Sequence, residues 1–88
     1  MAESHETWQA SLWIGNEEEL YNDCRDLVGR RTVVADVTDE HARRIQEYIL
    51  DYLDILAPNA GGTLLGDIII AWSERVDWQA VAEASAEE

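Results

Sequence analysis

The chain has no lysine and no phenylalanine, and only one cysteine, one proline and two histidines among its 88 residues. Each scarcity excludes something. With Cys24 alone, neither an intramolecular disulfide nor a multi-thiolate metal site is available, and a reducing compartment is the natural home. His5 and His41 have no second histidine at ligand spacing, so a zinc site is not expected. His41 beside Asp39 or Glu40 is not an acid and base pair either, because adjacent helical positions do not face each other. No apolar run approaches the roughly 18 residues that cross a bilayer, and the start MAESHE lacks a basic region followed by a hydrophobic one. The expectation is a soluble, cytoplasmic protein with no membrane association.

What is present is acid and bulk. Nineteen acidic residues against six arginines give a formal net charge of -13. Such a charge repels nucleic acid and anionic membranes, so direct nucleic-acid binding is not expected and a charged partner should be basic. Arginine without lysine, joined to excess acid, is also what a salt-adapted protein shows. Four tryptophans and three tyrosines replace phenylalanine as the large pieces, and 47% of residues are hydrophobic. That is enough for one small folded domain spanning 1–88, with residues 1–6 and 84–88 expected to fray.

Helical signals recur along the chain. Thr7 is placed to cap a short helix with Trp8, Leu12 and Trp13 on its inner side, ended by Gly15. Asn16 then caps a helix over 17–28, with Glu17, Glu18 and Glu19 at the positive end of its dipole, Glu19 closing a variant capping box, and Gly29 as the stop. Cys24 falls on its apolar side and reads as a buried small hydrophobe. Residues 30–37 form a connector, extended or briefly helical. Thr38 caps the clearest helix, 39–57, and Pro58 follows it. Thr63 caps a fourth helix to Arg75, apolar almost all round, which the pattern makes the central buried helix; a strand at 67–72 is the rival reading. Asp77 caps a last helix with Trp78, Val81 and Ala82 inward. The fold class is all-α, four to five helices in a compact single domain. Its expected core is Leu20, Leu27, Ile45, Ile49, Tyr52, Leu53, Leu65, Ile68, Ile69 and Trp72.

No catalytic constellation stands out. Ser11, Ser73 and Ser85 sit in helical settings without a nucleophile elbow, and Gly61, Gly62 and Gly66 do not reproduce a phosphate-binding glycine pattern. No catalytic residue, metal or cofactor is assigned, and enzyme is the weakest class. The acids are more specific. Glu40, Glu47, Asp51 and Asp54 fall within about 60° of arc on the long helix. Glu17, Glu18 and Asp23 on the preceding helix join them if the two helices pack side by side. The stripe matches the solvated face of any amphipathic helix, and equally a surface of carboxylates standing in for nucleic-acid phosphates. Arg43 and Arg44 interrupt it.

The segments Glu6-Thr7-Trp8-Gln9, Leu12-Trp13-Ile14, Asn16-Glu17 and Leu20-Tyr21, together with Val76-Asp77-Trp78, resemble a family of small proteins of phages, plasmids and microbial genomes. The family pattern has asparagine where Gln9 stands here. The resemblance implies a helical fold and association with mobile elements; it lends no catalytic residue and no ligand. It makes a protein-binding inhibitor of a host defence or nucleic-acid-binding protein one reading. A salt-adapted protein-interaction module is the other, and homo-oligomerisation is left open.

Overall fold

A computed structural model describes residues 4–29, 31–59 and 62–86. Five helices follow in order: α1 (His5–Asn16), α2 (Glu18–Val28), α3 (Asp39–Leu56), α4 (Leu64–Arg75) and α5 (Trp78–Ser85), with a single 3-10 turn at Val34–Asp36 in the connector. The architecture is all-α, as the pattern predicts, and residues 67–72 are helical. Three caps are where the sequence puts them. The hydroxyls of Thr38 and Thr63 and the carboxylate of Asp77 accept from the backbone N–H groups of His41, Gly66 and Ala80, satisfying donors that the first turn leaves orphaned. His41 completes a reciprocal box, its Nδ1 accepting from the Thr38 N–H at 3.0 Å. Gly29 stops α2 with φ 101°, a conformation closed to side chains, and a Cβ there would meet Thr32 Oγ1 at 2.8 Å.

The first helix differs from expectation. Ser4, not Thr7, caps it, and Thr7 is buried one turn inside. The inner face is Thr7, Ala10 and Ile14, spaced at three and four; Trp8 and Leu12 are exposed, and only Trp13 packs, edge to face on Tyr52 with ring centroids 5.7 Å apart. The helix runs through Gly15 to Asn16, so Asn16 is its last residue and no cap for α2, whose N-cap Glu17 makes no side-chain hydrogen bond. Toward the ends, His5 and Glu6 belong to α1, and Ser85 and Ala86 are buried. Residues 1–3 and 87–88, also expected to fray, lie outside the described residues.

The larger correction concerns the centre. The short α5 holds it, burying Trp78, Val81, Ala82 and Ser85 and packing against α1, α2 and α3. Around it close Ala10, Ile14, Leu20, Cys24, Val28, Ala42, Ile45 and Ile49. Leu27, Tyr52, Leu53 and Trp72 are partly buried against this core. Helix α4, expected to be most buried, buries only Ser73 completely; Leu65 and Ile68 are 52% and 55% exposed, and Ile69 is half-buried. Apolar composition measures how much a helix gains by burial, not which helix reaches the middle first. Beyond Trp78, the buried side chains of α5 are small (Val81, Ala82 and Ser85), and α1, α2 and α3 all pack against this helix.

That corner is fastened to the N-terminus. Thr7 Oγ1 accepts from the Asp77 N–H at 2.8 Å, Ser4 Oγ donates to the Arg75 carbonyl at 3.2 Å, and the Trp78 indole N–H donates to the Ser73 carbonyl at 2.9 Å. The segments 6–9 and 76–78, remote in sequence, thus meet in space. Thr7→Val keeps the shape and removes the acceptor, leaving a part-buried N–H unpaired. The expected loss is about 1–2 kcal/mol in urea unfolding, and no measurable loss would show the latch to be idle.

Candidate partner-binding surface

The acidic residues divide into tied and free groups. Glu40 is tied, its carboxylate 3.0 Å from Arg44 one turn on, with both side chains more than half exposed. A pair of that kind contributes well under about 1 kcal/mol, yet it offsets one charge of the stripe. Asp23 is tied too: it accepts from the Tyr48 hydroxyl at 2.5 Å, a bond that joins α2 to α3. These two helices do pack side by side, which the sequence left as a condition. Glu17, Glu18, Glu47, Asp51 and Asp54 are exposed, and among the described residues Glu47, Asp51 and Asp54 form no ion pair. For Asp51 and Asp54 the sequence supplies the cause, since residues 45–74 contain five carboxylates and no arginine, lysine or histidine; Glu47 has Arg43 one turn before it but is not paired with it.

Burial also sets the chemistry behind this surface. Cys24 is fully buried on α2, and loss of water together with the neighbouring Asp23 charge pushes its thiol up to about 12. Such a thiol stays protonated and is a poor nucleophile at neutral pH. Burial and the bond to Asp23 likewise push the Tyr48 hydroxyl well above the ordinary tyrosine range. Of the histidines, His41 is engaged in its cap, and His5 stacks on the exposed Trp8 at 5.7 Å. Among the described residues no group of three or more His, Cys, Asp or Glu side chains is placed to hold a metal ion, and no helix is long and apolar enough to cross a membrane.

A feature the sequence reading missed lies beside the free carboxylates. A groove of about 300 Å³ lies between the C-terminal half of α3 and the outer helix α4. Leu53, Ala57, Ile69 and Ile70 line it, and Asp51 and Asp54 form its acidic edge. Elsewhere on the same two helices Ile55 and Leu64 are also exposed, each at 76%. The signal was available in the all-round hydrophobicity of α4, which marks burial against something without saying whether that lies inside the chain.

Over residues 2–82 the sequence matches the family described as a family of unknown function (DUF7249). No curated protein and no solved structure matches it. The chain belongs to that family by a match covering nearly its whole length.

Proposed function

We propose that this family member is a non-enzymatic, cytoplasmic protein that binds a basic surface of another protein, its carboxylates taking the place of nucleic-acid phosphates. On this reading the partner is a nucleic-acid-binding or defence protein, inhibited by occupation of its basic groove, and the chain serves a mobile element. The observation that carries it is the run of carboxylates Glu47, Asp51 and Asp54 on one exposed face of α3, which form no ion pair among the described residues and are followed by no cation until Arg75. Charge of one sign focused on one face raises encounter rates with an oppositely charged groove and makes binding sensitive to salt.

The second reading, an interaction module whose acid is salt adaptation, draws on the same absence of lysine. Glu47→Gln with Asp51→Asn separates the two. Both positions are exposed, so stability should change by less than about 0.5 kcal/mol. Affinity for a basic DNA-binding protein that the chain inhibits should fall by about fivefold or more, two weakened charge contacts being worth roughly 1 kcal/mol. Unchanged affinity, with a melting temperature that climbs steeply as salt relieves self-repulsion, favours salt adaptation.

A further inference from the structure

The groove between α3 and α4 has walls of Leu53, Ala57, Ile69 and Ile70 and an edge made by Asp51 and Asp54. Ile70 is 57% exposed and Ile68 is 55% exposed, so the outer helix presents to solvent the kind of surface a folded chain normally covers. We infer that this groove receives an amphipathic helix of the partner, its apolar stripe seated between α3 and α4 and its flanking arginines or lysines paired with Asp51 and Asp54. The inference rests on the proposed binding of a basic protein and adds the shape of what is bound.

Charge selects this occupant over a second copy of the chain. Two-fold pairing through the groove would place Asp51 and Asp54 of both copies along one interface, and residues 45–74 of neither copy hold a cation to oppose them. Like charges brought together at a drying interface are repulsive, whereas a basic rim on a partner helix meets the same carboxylates favourably. The apolar floor supplies what carboxylates alone lack, a contact that salt does not screen. A helix anchors in such a trough by side chains at i, i+3 or i+4 and i+7. The stripe on α3 is therefore one bank of a mixed apolar and acidic site.

The test uses the intact chain and three fluorescent peptides of about 16 residues, long enough for four helical turns. One carries leucines at i, i+3, i+4 and i+7 with arginine and lysine flanks. The second has the same composition with the stripe scrambled, and the third has glutamate flanks. The first should bind, the scrambled peptide about tenfold or more weakly, and the acidic peptide not measurably. Ile70→Ser, which alters no charge at an exposed position, should weaken the first peptide by about tenfold, as expected for losing one buried aliphatic contact. Equal binding of stripe and scrambled peptides overturns the inference, as does absence of binding by all three. Sedimentation showing a stable dimer that Ile70→Ser dissociates assigns the groove to a second copy and also overturns it. If a basic protein is bound in a manner weakened by Glu47→Gln with Asp51→Asn but indifferent to Ile70→Ser, the groove inference fails while the acidic-surface reading stands.

Discussion

Replacing Trp78 with alanine is expected to cost about 3–5 kcal/mol, a large share of the stability that a domain of this size possesses. Trp78 is 7% exposed, packs edge to face on Trp72 with centroids 6.0 Å apart, and donates its indole N–H to the Ser73 carbonyl. Alanine removes the ring from the meeting point of the helices and strands that carbonyl. Ile68→Ala, on the more hydrophobic α4, is the matched control. Its side chain is more than half exposed, and the expected cost is below about 1 kcal/mol. Urea unfolding of the two variants decides which helix is central. A larger loss at Ile68 than at Trp78 would return α4 to the core and remove the groove from the surface.

The second large effect is an alkaline loss of stability. The Cys24 thiol ionises ordinarily at 9.0 and in the folded chain at about 12, so between these values the folded state holds a proton that the unfolded state has released. The contribution is therefore complete below pH 9 and is lost as pH rises towards 12. Its slope is about 1.4 kcal/mol per pH unit, or about 4 kcal/mol over the whole window. Tyr48, raised in the same sense, extends the loss to higher pH. Urea midpoints measured from pH 8 to pH 11 should fall more steeply for the native chain than for Cys24→Ala. Parallel curves would show that the buried thiol does not govern the alkaline limb.

Local signals were legible in the sequence wherever one residue decides them. Thr38, Thr63 and Asp77 cap because a side-chain oxygen before a helix satisfies its first N–H groups, and Gly29 stops α2 because only glycine takes its φ. Asn16 failed as a cap because α1 continued through Gly15, a residue that permits a stop without enforcing one. The inward side of α1 was misread because tryptophan was given precedence over small residues. In the folded chain close packing against α5 selects Thr7, Ala10 and Ile14. Spacing alone found the stripe on α3, since helical geometry puts Glu47, Asp51 and Asp54 together whatever surrounds them. The groove was not legible, because Leu53, Ile69 and Ile70 look like core residues until α5 is seen to occupy the centre. The neutralisation of Glu40 by Arg44 and the bond from Tyr48 to Asp23 likewise required side-chain positions.

On the proposed function, the carboxylate face occupies a basic site otherwise used by nucleic acid. A competition experiment tests it most directly: the affinity of basic DNA-binding proteins for labelled duplex DNA, measured against increasing amounts of this chain. This chain should displace the DNA competitively from at least one such protein, the effect weakening as salt rises because screening shortens the reach of exposed charges to about 10 Å at 0.1 M, and weaker again for Glu47→Gln with Asp51→Asn. A chain that binds such a protein and leaves its DNA affinity unchanged, or displaces DNA equally well with those carboxylates neutralised, would contradict it.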